Sequence, residues 1–174
     1  MKRKRGFKMG QGLHGEKGKT FVVEALKVLA SVAIPLLIGF IGSIFTAGSV
    51  KSWYPGLEKP SFSPPNWLFA PVWTGLFILI GISFYLIWRE NGLDAASLSV
   101  YFGQLALNLL WSFLFFGLRS PSLAFIDIIA LWLLILANIF IFSRKSKAAA
   151  ALLVPYWLWV SFASILNYAI ISLN

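Results

Sequence analysis

Few side chains in this sequence could carry chemistry. The carboxylates are Glu16, Glu24, Glu58, Glu90, Asp94 and Asp127, the one histidine is His14, and there is no cysteine. This set excludes disulfide frameworks, thiolate zinc or iron–sulfur sites and cysteine nucleophiles. It also supplies almost no material for hydrolytic dyads or carboxylate metal cages, so no metal is expected. Asp127 stands apart because it falls inside an apolar run, where an ionisable group is costly and normally faces a bundle interior with a partner. It lies about five residues, or about 8 Å of helical rise, into that run. Two readings stand side by side: a pocket-lining acid, or a hydrogen-bonded acid of helix packing.

Gln104 and Asn108 are four residues apart, so on a helix they share one face, with Trp111 one turn further along. Amides in hydrocarbon need partners, which makes the pair either an interhelical hydrogen-bonding device or the polar fringe of a ligand pocket. Of the eight tryptophans, Trp67 and Trp88 bracket an apolar stretch and suit an interfacial belt. Trp73, Trp111, Trp132 and Trp159 fall about 9 Å or more inside theirs. An indole N–H at such depth wants an acceptor. These four are bundle filler or the walls of a cavity for a large flat aromatic molecule. Gly39, Ser43 and Ala47 repeat every four residues, and Ser161, Ala163 and Ser164 soften one later turn. Such small residues let helices approach, within one chain or across a dimer seam.

Two motifs near the N-terminus are decoys. Gly10, Gly12 and Gly15 match G-x-G-x-x-G, yet no strand precedes them to lay a pyrophosphate on a helix N-terminus. Gly18-Lys19-Thr20 ends like a phosphate loop, but Gly12 is one position too far back. His14 lies in the same segment and has no second histidine to work with.

The elements that must position these residues are transmembrane helices. Of the 174 residues 59% are hydrophobic and 12% charged, against roughly 25% charged in an average soluble domain. Five apolar stretches, at about 21–47, 67–88, 98–118, 122–143 and 148–172, are each near the length that crosses a bilayer as a helix. The expected organisation is therefore a basic, disordered tail over 1–20 and one five-helix, all-α membrane domain over 21–174. Short connectors at 89–97, 119–121 and 144–147 predict consecutive helices packed as antiparallel neighbours. Five spans offer no equal inverted halves, which disfavours a secondary transporter.

The net charge of +9 does not call for nucleic acid, because seven of the fifteen basic residues lie in the first twenty positions. A basic tail on a membrane protein sets topology or meets anionic lipid. Placing the N-terminus in the cytoplasm puts eleven basic residues inside and three, Lys51, Lys59 and Arg119, outside. That split predicts a multi-pass protein of the plasma or inner membrane with its C-terminus outside.

The one long connector carries WYPGLEKPSFSPPNW at 53–67. Pro60, Pro64 and Pro65 fix φ and push their predecessors toward extended backbone, so the loop should be a stiff arch. It would carry Trp53, Phe62 and Trp67 as a lid. With Pro71-Val72-Trp73 after it, this run resembles the first loop and second helix of the translocator protein family, also called TspO/MBR or tryptophan-rich sensory proteins. Gln104-Leu-Ala-Leu-Asn108-Leu-Leu-Trp111-Ser112, then Pro155-Tyr156-Trp157-Leu158-Trp159-Val160-Ser161-Phe162-Ala163 and Leu166-Asn167, are similar to that family's third and fifth helices. The resemblance covers about residues 50 to 174.

It implies a five-helix bundle, often homodimeric, that binds porphyrins such as protoporphyrin IX, haem-related tetrapyrroles, benzodiazepine-type molecules and, in animal members, cholesterol. Porphyrin is then a ligand and no cofactor is required. By motif position, Trp73 and Trp159 match pocket tryptophans linked in bacterial members to light-dependent porphyrin breakdown. They are thus the candidates for any catalysis, which the resemblance leaves secondary to binding. Asn108, Asp127 and Ala163 match the pocket lining, and Trp53, Pro64, Pro65 and Trp67 the lid. Phe62 replaces the tryptophan of many relatives, keeping the ring and losing its N–H donor. Tyr168 has no basic residue after it, so the animal sterol motif is incomplete. A sensory or transport-accessory tetrapyrrole binder, a light-dependent porphyrin-degrading protein and a lipid-binding helical scaffold are the three functional expectations.

Overall fold

The computed structural model describes residues 9–174, with side chains described from residue 21 onward except at Asn91. The side chains of the glycine motif and of His14 lie outside the described residues. Five long helices make up the described chain: α1 (Met9–Ser52), α2 (Phe69–Asn91), α3 (Ala95–Ser112), α4 (Pro121–Ser143) and α5 (Lys147–Leu173). The segments long and apolar enough to cross a membrane are Phe21–Ser52, Asn66–Glu90, Ala95–Gly117, Pro121–Ser143 and Lys147–Leu173. The backbone of α1 is already helical from Met9, ahead of the apolar start at 21.

Neighbouring helices form a ring in the order α1, α2, α5, α4, α3 and back to α1. Of the three pairs joined by short connectors, α3–α4 and α4–α5 are close neighbours as predicted and α2–α3 is not, while α1 and α2 pack together across the long loop. Gly92, at φ 67°, and the extended Asp94 that caps α3 splay the chain at that corner. The gap is filled by rings, with Phe84 stacked on Tyr101 at 3.9 Å between centroids. α1 and α5 take the vacated neighbour positions, so the bundle closes through α1–α3 and α2–α5 contacts.

Small residues and proline set how closely helices approach. Pro35 has no N–H to give the Ser31 carbonyl, which interrupts the α1 hydrogen-bond ladder there. Gly81 of α2 packs on that spot: a Cβ at Gly81 would fall 2.7 Å from the Ser31 oxygen and 2.6 Å from Val32 Cα. The Ser83 hydroxyl donates to the Ala149 carbonyl at 2.7 Å, joining α2 to α5. Near the start of its apolar span α1 is held to α2 by Glu24, which accepts from Tyr85 at 3.0 Å.

α3 does not run on as a regular helix to 118, as its apolar stretch predicts. Phe113–Gly117 forms a π-helical turn, closed by Leu118 N–H donating to the Phe113 carbonyl at 2.8 Å. The Ser49 hydroxyl of α1 donates to the Phe116 carbonyl at 2.6 Å, and Arg119, at φ 53°, ends the segment in the left-handed region. The extra residue swings Phe115 and Phe116 toward α1 and α5, where a second, smaller core forms around Tyr54, Phe115, Ala124, Leu166 and Ile170. π-turns inside helices frequently mark functional sites.

Candidate functional site: an aromatic cavity beneath the first loop

A cavity of about 490 Å3 lies at the end of the bundle that carries the 53–65 loop and the C-terminus, and all five helices contribute to its wall. Its volume falls within the about 300–1,000 Å3 range of small-molecule sites. On α1 the wall runs from Leu36 near its floor to Lys51 at its mouth, about 22 Å of helical rise.

Helical spacing explains how each element supplies its rings. Phe69, Trp73 and Phe77 recur every four residues along one face of α2, Trp111 of α3 and Phe115 of the π-turn after it keep the same spacing, and so do Trp159, Ala163 and Asn167 on α5. Trp73 tilts over Phe77 at 5.4 Å and meets the Tyr156 ring edge-on at 6.1 Å. Trp159 meets Phe69 at 6.0 Å and Phe162 at 5.5 Å. Trp111 stacks on Phe115 at 5.0 Å.

The small residues of α1 make the volume. Gly39, Ser43 and Ala47 all line the cavity, and Gly39 also lets α1 approach the Phe77 ring of α2 closely. At Gly39 a Cβ would collide with the Phe77 ring, so glycine is what allows that ring to lie on the wall. Gly42 meets Ser112 Oγ, which would lie 3.1 Å from its Cβ.

Most polar groups of the wall are already engaged. Asn108 donates from Nδ2 to the Tyr156 hydroxyl at 3.2 Å. Trp111 Nε1 donates to Asn167 Oδ1 at 3.1 Å, and Asn167 donates in turn to the Pro121 carbonyl at 2.9 Å. The hydroxyls of Ser43, Thr46 and Thr74 turn back onto carbonyls of their own helices. Trp159 Nε1, by contrast, is buried and has no acceptor among the described residues.

Of the residues the sequence nominates, the structure brings Trp73, Asn108, Trp111, Trp159 and Ala163 together on the wall. Gln104 is not among them. It lies one turn beyond Asn108 toward the opposite membrane face, fully buried, with both amide atoms unpartnered among the described residues. Asp127 is buried in the bundle beside the wall, which α4 builds from Ile128 and Leu131 instead. Both of its carboxylate oxygens are unpartnered among the described residues. Trp132, the fourth deep tryptophan, lies on the α4–α5 seam, donating to Ser161 Oγ at 2.8 Å.

The loop meets the cavity through other residues than the aromatics that predict a lid. Tyr54 and Asn66 are its wall residues, while Trp53, Phe62, Pro64, Pro65 and Trp67 are not. Trp53 turns inward onto Phe115 at 5.7 Å, and Phe62 rests edge-on against Phe162 at 6.4 Å. Trp67 is 71% exposed and points away, as an interfacial indole would. Pro65 caps the short turn Asn66–Leu68 in extended conformation and leads directly into α2. Asn174 fastens the loop by accepting from the Glu58 N–H and donating to the Glu58 carbonyl, both at 3.0 Å. Tyr54, Phe77, Phe115 and Asn167 are wall residues absent from the sequence-based set. The four-residue spacing from Trp73, Trp111 and Trp159 identifies three of them.

Comparison with known proteins places these features in a group. A family model described as the TspO/MBR family matches residues 31–173. The chain is 52% identical over 151 residues to the tryptophan-rich protein TspO of Archaeoglobus fulgidus, covering 86% of this chain and 97% of that protein. It is 39% identical over 140 residues to the translocator protein of Homo sapiens, covering 78% and 83%. It is 34% identical over 136 residues to the tryptophan-rich sensory protein of Cereibacter sphaeroides, covering 76% and 85%.

Proposed function

The chain belongs to the TspO/MBR family and is an integral multi-pass membrane protein; from that premise we propose that its cavity binds tetrapyrroles of the protoporphyrin IX or haem type, in a sensory or transport-accessory role. The observation that carries this reading is the convergence of Trp73, Trp111 and Trp159 from three helices on one cavity of about 490 Å3. Indole faces stack on a flat macrocycle, and the surrounding Phe69, Phe77 and Phe115 offer edges and further faces. Names of relatives such as translocator and sensory protein accord with a role built on binding.

Orientation follows from the same reading. The bundle end away from the cavity carries Arg89, Arg144, Lys145 and Lys147, and the lid end carries Lys51, Lys59 and Arg119. With the basic N-terminal segment added to the former, we place that end in the cytoplasm and the cavity mouth outside a plasma or inner membrane. Titrating purified protein with protoporphyrin IX should quench tryptophan fluorescence in the micromolar range. Unchanged emission would remove the tetrapyrrole reading.

A second reading, light-dependent porphyrin breakdown, is favoured by one observation: both Trp73 and Trp159 border the same cavity, and the Trp159 N–H has no protein acceptor among the described residues. Any such activity would depend on the photochemistry of the bound pigment. The protein would supply electron-rich rings in contact with it.

A further inference from the structure

We propose that Lys51 is the anion-recognising group of the cavity, so that its ligands are amphipathic, with a flat apolar body seated among the indoles and an anionic group held at the mouth. The inference rests on the reading of the cavity as a tetrapyrrole site and adds a chemical requirement to it. Among the described residues of the wall, Lys51 is the only one bearing a full charge at neutral pH. It lies in the last turn of α1, beside Tyr54 of the lid.

What the other polar groups do gives this position its meaning. Asn108, Trp111 and Asn167 satisfy one another or the bundle, and the hydroxyls of Ser43, Thr46 and Thr74 are bonded to their own helices. The deep part of the cavity therefore presents mainly apolar and aromatic surface, in which an anion would lack compensation. Lys51 has no ion pair or hydrogen bond among the described residues and is exposed. A cation in the final turn of a helix also complements the helix dipole, but any position around that turn would serve for that. Lys51 instead borders the cavity at its mouth, from where its long side chain can carry the ammonium to the solvent-facing end of a guest. The recognised group is a carboxylate of the ligand or the phosphate of a lipid headgroup, which share this chemistry.

The experiment compares protoporphyrin IX, which carries two carboxylates, with its dimethyl ester, by tryptophan quenching in a neutral detergent. The full-length wild-type protein should bind the diacid about tenfold more tightly than the ester. Lys51→Gln should weaken the diacid by about that factor and leave the ester unchanged, whereas Lys51→Arg should keep the preference. Adding an anionic phospholipid separates the two sources: suppression of the diacid's advantage in wild type alone means that lipid phosphate competes for Lys51. Equal affinity for the two porphyrins in wild type, or a preference that survives Lys51→Gln, overturns the inference while leaving the tetrapyrrole reading intact. No quenching by either porphyrin removes both.

Discussion

Trp111 and Asn167 are joined by a 3.1 Å hydrogen bond from the indole Nε1 to the amide oxygen, and the same amide donates to the Pro121 carbonyl at 2.9 Å. One side chain of α5 thus fixes a cavity ring on α3 and the first residue of α4. Asn167→Leu would leave the Trp111 indole donor unpartnered in a nearly water-free interior and remove the tie to α4. Losing the partner of a buried donor costs about 1–3 kcal/mol. The expected result is a lower thermal unfolding midpoint in detergent, together with weaker porphyrin quenching because Trp111 is no longer held flat against Phe115. A normal midpoint and normal affinity would show that the bond contributes little.

Ala163 tests the cavity without touching a polar group. It lies on the wall one turn from Trp159, where added bulk enters space that the cavity leaves clear. Ala163→Phe should reduce porphyrin affinity by more than about tenfold, equivalent to about 1.4 kcal/mol or more, with little change in the unfolding midpoint. Loss of both together would mean that the introduced ring is forced into the bundle instead, as overpacked cores lose stability.

How much of this was legible in the sequence depends on which physical signal each feature leaves. Apolar runs near bilayer length announced the five spans, because hydrocarbon thickness alone sets their length. Trp73 and Trp159 announced the cavity because deep indoles are costly without a purpose. The face each residue presents is another matter. Asp127 and Ile128 differ by one position, about 100° around a helix, and only the packed ring of helices decides that Ile128 meets the cavity. Gly39, Ser43 and Ala47 read as a close-packing stripe, since small residues look the same whether a neighbouring helix or a guest takes the space. The π-turn at Phe113–Gly117 leaves no local signature, although Phe115 within it keeps the four-residue spacing from Trp111.

Trp73→Phe and Trp159→Phe separate binding from photochemistry. Each substitution keeps an aromatic ring, so porphyrin affinity should fall only by a few-fold, in line with about 0.5–1.5 kcal/mol for an aromatic pair. If the indoles relay electrons from the excited pigment, the yield of a porphyrin photoproduct under illumination should fall much further than binding does, and most of all in the double variant. Following the product by absorbance at saturating porphyrin makes the comparison independent of affinity. Equal yields from all variants would exclude both side chains from the chemistry.

At the opposite membrane face Asp94 caps α3, accepting from the Ser97 N–H at 2.8 Å, and pairs with Lys145 at 2.8 Å. The hydrogen bond from Lys145, then those from Ser97, hold its carboxyl well below the ordinary value of 3.8. A depressed folded-state pKa contributes stability above the unfolded value and loses it as pH falls toward the folded one. The Asp94 contribution is therefore complete at neutral pH and fades in acid below 3.8. Asp94→Asn keeps an N-cap acceptor while deleting the charge. Its unfolding midpoint should be lower than wild type at about pH 7, and the gap should narrow between about pH 5 and about pH 2. A constant gap across that range would assign the effect to the cap instead of the ion pair.

Gln104 and Asn108 share a face of α3 yet have different work to do, and substituting leucine at each makes the difference measurable. Asn108 borders the cavity and donates to Tyr156, so Asn108→Leu strands a buried hydroxyl. It should lower both stability, by about 1–3 kcal/mol, and porphyrin affinity. Gln104 is fully buried, is not on the cavity wall, and has no partner for either amide atom among the described residues. Replacing an unsatisfied buried amide by an apolar side chain of similar size is neutral or stabilising. Gln104→Leu should therefore leave affinity unchanged and hold or raise the midpoint, in opposition to its neighbour one turn away. A destabilised Gln104→Leu would show that the amide is satisfied in the membrane-embedded protein by groups beyond the described side chains, such as ordered water.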